Sequence, residues 1–512
     1  QGLSRARAMA LVMLALPGAV FVYNGEELGL PNVELPDDVL QEGTLRRTDD
    51  GAPPLAKGST VTPFGYAAIN PVYGQVSSGG SAKWSVDPVN AQDGLGKAYT
   101  VDTSAIDAMT AAGDPEPLKE APGTTEAGKA GSMLGGNSFI YEYDPSIYDG
   151  LGDLSDTTGV VFISRAGQEG SDMKYDAYSD GTPHYLALSE NEKQTIKVAK
   201  EKCARVVVVL VASQPMEVAP LMSGEYEADA IVWVGQPGEL GFSELASIMD
   251  GDVNPSGRTV DTWATDFTTD PSYQNIGSFS YDNVTTSSAS LGGQAGEFNR
   301  YYTDYQEGVY VGYRYYETAD VMDDAFTYGT LDGKGATATA GAVTYPFGYG
   351  LSYTSFSQQI VGYDDAGDDI NVQVAVTNTG DTYAGKDVVQ LYYGAPYTQL
   401  DIDDKVEKPV ANLIAFDKTE LLAPGESQTL TLSFSKEDMA SYCYTHANPD
   451  GTTGCYLLEG GDYQISLRSD SHDVIDTRTT TIPDTVWYDG SDDAHIRTSD
   501  RDAQSELDDA GN

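Results

Sequence analysis

Between residues 159 and 251 the chain alternates two hydrophobic textures. "GVVFIS" (159–164), "RVVVVLVAS" (205–213) and "ADAIVWVG" (228–235) are continuous apolar runs bounded by polar residues. Runs of β-branched residues of this length read as strands covered on both faces, the situation inside a parallel sheet. "LSENEKQTIKVAKEKC" (188–203) instead spaces its apolar residues at helical period, and Ser189 and Glu192 stand at capping-box separation. "GELGFSELASIMDG" (238–251) reads as a second helix, closed by Gly251. Strand, helix and strand in succession predict an α/β layer with a largely parallel sheet.

The texture changes near residue 356. "DDINVQVAVTNTG", "GKDVVQLYYGAP", "SQTLTLSFS" and "GDYQISLRSD" alternate apolar and polar positions, with turn residues between them. Period two over several short segments predicts an all-β sandwich. Upstream, residues 4–16 read as a buried helix, "LPG" ends it, and "AVFVY" reads as a strand. Residues 102–132, rich in Ala, Gly, Pro and Thr, read as a helix-bearing insertion. The pattern divides the chain into residues 1–42, an α/β part over 43–356, a β-sandwich over 357–485, and an acidic tail or linker over 486–512.

Charge and cysteine usage narrow the partners. The chain has 78 acidic and 29 basic residues, a net charge of −49, which opposes binding to nucleic acid or anionic membranes and fits a neutral substrate. Three cysteines are too few for a disulfide framework. Cys203 falls in the helical stretch and reads as a buried thiol. Cys443 and Cys455 bracket "YTHANPDGTTG", a turn they could staple in an oxidising compartment. His184, His446, His472 and His495 form no metal-ligand spacing, so neither a metal nor another cofactor is expected. The N-terminal apolar run is broken by Pro17-Gly18, too early for a membrane span and without a clear cleavage site. Localisation stays open between an extracellular or surface setting and the cytoplasm.

Six stretches in order carry a family resemblance: "SRAGQEGSD" (164–172), "YLALSENEK" (185–193), "VGQPGELGF" (234–242), "GDVNPSGRTVDTWATDF" (251–267), "YQEGVYVGYRYYET" (305–318) and "YPFGYGLSYTSF" (345–356). They resemble the α/β-sandwich domain of glycoside hydrolase family 3, the β-glucosidase family. "VAVTNTGDTYAGKDVVQLYY" and "LLAPGESQTLTLSFS" resemble its fibronectin type III-like, immunoglobulin-like domain. The first 42 residues, through "LALPGAVFVYNGEELGLPNVELPDD", instead resemble a barrel fragment of family 13, the α-amylase and α-glucosidase family. Glu26 and Glu27 there stand where that family does no chemistry.

Locally, "NPSGR" is a loop between helix and strand, and "YPFGYGLSY" lets the backbone turn sharply while rings pack on both domains. Arg314 reads as a stacking or pairing residue, and Asp261 and Asp266 as turn or capping acids.

Retaining β-glycoside hydrolysis needs two carboxyl groups, one a nucleophile and the other a proton donor that later serves as base. The donor must hold its proton near neutral pH, through burial or a neighbouring carboxylate. The resemblance implies that Glu169, in Gln168-Glu169-Gly170-Ser171-Asp172, is that acid/base. Glutamine stands where relatives often have the first glycine. Arg165 and Asp172 are candidates to orient it or contact substrate, against a reading as loop pairing.

The nucleophile implied by the family is an aspartate on a (β/α)8 barrel, and no "SDW"-like motif occurs. The expectation is therefore the acid/base half of a β-glucosidase-like enzyme acting on a β-linked glucoside or oligosaccharide. The barrel would be present in cis and, in a reversed domain order, would follow the acidic tail; without it the chain would be inactive. The alternative is a non-catalytic carbohydrate-binding or surface-interaction module. An α-glucosidase reading rests on the first 40 residues alone.

Overall fold

The apolar runs become neighbouring strands of one six-stranded sheet in the computed structural model. It describes residues 43–47, 54–73, 88–121, 139–167, 173, 176–238, 240–275, 280–289, 295–302, 304–329 and 341–497. The expectations for residues 1–42, and for Glu169 and Asp172, lie outside the described residues.

The sheet contains β1 (Gly43–Arg47), β2 (Thr60–Phe64), β3 (Thr100–Val101), β4 (Leu154–Arg165), β5 (Cys203–Ala212) and β6 (Ala230–Trp233), in the order β1-β6-β5-β4-β2-β3. All pairings are parallel except that of β1 with β6. Its helices are α1 (Ala91–Leu95), α2 (Ser104–Ala112), α3 (Glu190–Lys202) and α4 (Phe242–Met249). Val160–Ile163 and Val206–Ala212 are buried almost without exception, so both faces of β4 and β5 are covered. Each large apolar side chain hidden this way stabilises the fold by roughly 1.5–3 kcal/mol.

The capping box at Ser189 and Glu192 opens α3. One expectation is corrected at the other end: Cys203 is neither helical nor fully buried. The helix stops at Lys202 and Cys203 is the first residue of β5, with extended backbone angles. Helix propensity yields there to pairing with Leu154 of β4. The thiol accepts a hydrogen bond from Thr157 Oγ1, 3.4 Å away. Gly159 makes the crossover possible, because a Cβ there would stand 3.2 Å from both Ala199 Cβ and Cys203 Sγ.

After α4 come a small ladder of β7 (Trp263–Ala264) with β10 (Val343–Tyr345), a hairpin of β8 (Ser280–Ala289) and β9 (Ala295–Tyr301), and helix α5 (Tyr313–Met322). The sandwich then packs β11 (Phe356–Asp364), β12 (Asp369–Asn378) and β15 (Ser427–Ser435) against β14 (Asn412–Lys418), β13 (Val388–Gly394), β18 (Gly461–Arg468) and β19 (Val474–Ile482). Its core is the alternation read from the sequence: Val372, Val374 and Val376 of β12 meet Leu430, Leu432 and Phe434 of β15. A third sheet joins β16 (Ser441–Ala447), β17 (Thr453–Leu458) and β20 (Val486–Tyr488). Thus residues assigned by pattern to the tail form an edge strand, because Val486, Trp487 and Tyr488 pair with Leu458, Leu457 and Tyr456.

The two "loop" motifs build the junction between the halves. Asn254 Nδ2 donates to Ala384 O, and Arg258 pairs with Asp387 at 2.7 Å. Tyr313 stacks on Phe347, and Gln390 Nε2 donates to Gly348 O at 3.0 Å. Gly348 has φ +80°, and a Cβ there would fall 2.1 Å from Gln390 Oε1, so only glycine fits. Glu317 of α5 accepts from Tyr328 Oη, Ser471 Oγ and His472 Nδ1 at 2.7–2.9 Å.

A polar knot closes the C-terminal edge of the parallel sheet. Arg165, the last residue of β4, is fully buried. Its Nη1 and Nη2 donate to Glu192 Oε1 and Oε2 at 2.6 and 2.8 Å. The other three N–H groups reach the carbonyls of Ser164, Tyr185 and Ala187. All five guanidinium donors are therefore used. Nearby, Glu142 accepts from the backbone N–H of Tyr66 and Tyr143. Burial, reinforced by the Glu192 charge and only partly offset by those bonds and Arg165, pushes its carboxyl up to about 8.

Two outcomes follow from this knot. Glu192→Ala orphans a buried guanidinium and should cost about 3–5 kcal/mol, whereas the pair Arg165→Met with Glu192→Leu should cost less than either single change. Urea unfolding of Glu192→Ala, Arg165→Met, Glu192→Leu and the double variant checks this; single changes costing under about 1 kcal/mol would contradict it. Glu142 has its folded-state pKa raised, so its stabilising contribution is full below its ordinary value and disappears as pH rises towards 8. Glu142→Gln should therefore flatten the loss of stability between pH 5 and 8.5 and raise the urea midpoint at the alkaline end. An unchanged pH slope would show that Glu142 is not the titrating group.

Candidate functional site

In open α/β sheets, ligand sites form beyond the C-terminal ends of the strands, where the connecting loops splay apart. Here the segments that leave β4 and β5 meet the segment around β7 and enclose a cavity of about 320 Å³. Met173, His184, Gln214, Asp261, Asp270 and Tyr273 contribute to its wall.

A histidine–carboxylate clamp holds the three segments together. His184 Nε2 lies 2.8 Å from Glu217 Oε1, and the same oxygen accepts from Phe267 N at 2.7 Å. Leu186 N–H points at His184 Nδ1 from 3.3 Å, so Nδ1 is the acceptor and the proton sits on Nε2, donated to Glu217. The ligand atoms of His184, Glu217 and Asp266 lie within 4.8 Å of one another. Asp266 also caps the turn at Phe267–Thr269, and as placed the three side chains tie the segments to one another.

Asp261 faces the cavity differently. Its side chain is exposed; it accepts from Thr262 N at 2.9 Å, and the surrounding protein and the Asp270 charge push its carboxyl upward, a push that solvent screens. Thr262 Oγ1 and Gln214 Nε2, which also line the cavity, are buried without a hydrogen-bond partner among the described residues. A carboxyl, a hydroxyl and an amide in one polar hollow can donate to and accept from a hydroxyl-rich ligand.

The sequence-derived residues divide clearly. Arg165 stands at the entrance of the 166–173 segment with every donor spent inside the fold, so it anchors the segment's start. Met173, at the far end, lines the cavity. Glu169 and Asp172 fall between these two fixed points, outside the described residues. Asp266 caps a turn, as its spacing implied. Asp261 serves its own turn but also lines the cavity. Arg314 is exposed on α5. His184, Glu217 and Gln214 were not picked out from the sequence as site residues. For Gln214 and Glu217 the available signal was their position just beyond the buried strand β5.

Residues 47–313 match the glycosyl hydrolase family 3 C-terminal domain, and residues 387–471 match a fibronectin type III-like domain. Among curated relatives, the chain is 30% identical over 497 residues to Beta-glucosidase A of Butyrivibrio fibrisolvens, covering 88% of this chain and 51% of that protein. It is 30% identical to a Beta-glucosidase of Ruminococcus albus, covering 66% of this chain and 30% of that protein. The chain thus spans about half or less of the length of these relatives. Among solved structures, a beta-glucosidase from Paenibacillus barengoltzii superposes with a TM-score of 0.63 at 26% identity, covering 88% of this chain and 43% of the other. Beta-glucosidase 3B of Thermotoga neapolitana, at 24% identity and a TM-score of 0.61, covers 87% of this chain and 53% of its own, and shares the fold. With the family match extending over more than half of the sequence, the chain belongs to glycosyl hydrolase family 3, as its C-terminal α/β domain followed by a fibronectin type III-like domain.

Proposed function

We propose that this chain supplies the acid/base half of a retaining β-glycosidase acting on a β-linked glucoside or oligosaccharide. The observation that carries the reading is the position of the two described residues that flank Glu169 in sequence. Arg165 is fixed in the buried knot, and Met173 lines the wall of the polar cavity. Glu169 lies four residues before Met173. Neutral hydroxyl-bearing ligands suit a hollow built from Asp261, Gln214 and Thr262, and suit a chain of net charge −49. The surrounding carboxylates Asp261 and Asp270 would raise the pKa of an acid brought among them, the state a proton donor requires.

In this mechanism Glu169 protonates the glycosidic oxygen while a carboxylate from a (β/α)8 barrel in cis attacks the anomeric carbon. Glu169 then takes a proton from the water that releases the sugar. Asp172 orients Glu169. The names of the curated relatives, all beta-glucosidases, support the substrate class.

The test is hydrolysis of 4-nitrophenyl β-D-glucoside by this chain joined in cis to a family 3 barrel. Glu169→Ala should lower kcat on this activated substrate, where deglycosylation needs the base, and on cellobiose, whose leaving group needs a proton, should lower kcat/KM by about 10²–10⁴ and abolish its alkaline limb. Azide should restore turnover by attacking the glycosyl-enzyme without general-base help. Unchanged kcat/KM on cellobiose, or a loss with the alkaline limb intact and no azide rescue, would reject Glu169. Saccharide binding that survives Glu169→Ala in a fusion without turnover would favour the binding-module reading.

A further inference from the structure

The third sheet holds two thiols directly across from each other. In the β16–β17 hairpin, Cys443 pairs in register with Cys455. Residues that face one another across an antiparallel ladder point their side chains to the same side of the sheet. Their Cα atoms are about 4.5–5.5 Å apart, within the roughly 4.4–6.8 Å that a disulfide spans. Their Cβ atoms, at about 4.5–5.5 Å, are slightly wider than the bond requires. The hairpin has the play to close that difference. Its register shifts immediately after Cys443, and Gly454, beside Cys455, has φ 93°.

Both cysteines are free and buried. Cys443 packs with Val406 and Leu457, and Trp487 lies against the same cluster. Burial raises the Cys455 thiol to about 11, and the neighbouring Cys443 adds to the shift. Cys203, by contrast, sits in β5, bonded to Thr157.

We infer that Cys443 and Cys455 form a redox-modification site, closing an intramolecular disulfide across the hairpin when the chain meets a low-molecular-weight disulfide. One thiolate attacks a sulfur of the reagent and expels one equivalent of its thiol. The second cysteine's thiolate attacks the resulting mixed disulfide and expels the other. The protein pair loses two electrons and two protons, and the reagent disulfide is reduced to two thiols. Both thiols are buried, so the exchange proceeds through local opening of the hairpin.

The position of the pair gives the bond a consequence. The same hairpin holds β20 through Tyr456, Leu457 and Leu458, and His446 stacks on Trp487 at 4.1 Å. Arg497 lies over the Tyr456 ring at 3.9 Å. A crosslink that keeps the hairpin closed also keeps residues 486–497 docked on the sandwich.

The test uses the full chain, incubated with oxidised glutathione and then mapped under non-reducing conditions. The expected product is a monomer that has lost two thiols and two hydrogens in mass, with one peptide pair joined through 443 and 455 and Cys203 still titratable. Tryptic cleavage at Arg497 should slow about tenfold or more in the oxidised chain, because opening of the closed loop is disfavoured. In Cys443→Ser and Cys455→Ser the oxidant should leave the cleavage rate unchanged. Stable glutathione adducts, crosslinks between chains, bonding through Cys203, or no loss of thiol would overturn the site. A 443–455 bond that leaves cleavage at Arg497 unaltered would overturn its role as a tether.

Discussion

The fold of the α/β half turns on one buried ion pair. Arg165 ends the central strand of the parallel sheet and Glu192 begins the helix that crosses over to the next. Because every guanidinium donor is satisfied, the pair joins β4, the Tyr185–Ala187 segment and the first turn of α3 into one unit. A buried ion pair is not retained for stability alone, since apolar residues of similar volume would often serve as well. What it contributes here is direction. It sets where the chain leaves the sheet at the end of β4.

The same economy runs through the site. Glu192 is at once the capping residue of α3 and the partner of Arg165. Glu217 Oε1 accepts hydrogen bonds from His184 Nε2 and from Phe267 N, so one oxygen joins the β4 exit, the β5 exit and the segment after β7. Asp261 is left partly apart, exposed to solvent and in contact with Thr262 N. The site therefore separates acids that hold the walls from an acid open to a ligand, the division of labour expected in a hollow for polar, uncharged ligands.

The strands and the main helices were legible because each depends on local pattern. The apolar runs at 205–213 and 228–235 could be buried on both faces only in a covered sheet, and they are. The alternation along 369–378 reappears residue by residue in the burial of β12. Cys203 was misread because a helical period continues past Lys202, while parallel pairing with β4, a contact distant in sequence, ends the helix first. The β20 strand escaped for a similar reason: "VWY" among acidic residues has no period, and its order comes from pairing with β17. Asp261 and Asp266 were legible as turn acids, and each accepts from a nearby backbone N–H. The clamp was not, because His184, Glu217 and Phe267 are brought together only by the topology of the sheet.

The junction between the halves shows how motif and function can be decoupled in one chain. "NPSGR" and "YPFGYGLSY" are among the most distinctive stretches of the sequence, yet several of their residues bond across the boundary between the halves. Asn254 and Arg258 bind the approach to β13, Phe347 O accepts from Ser471 N, and Gly348 lies against Gln390. Glu317 of α5 adds three more bonds, two of them to the turn between β18 and β19. A polar seam of this kind gives up little hydrophobic driving force to orientation errors, because a small rotation breaks several directional bonds at once. The sandwich is thus a splint on the α/β half: it bears on α4's exit and on α5, the elements that frame the segment carrying Asp261, and so restrains the wall of the cavity from outside.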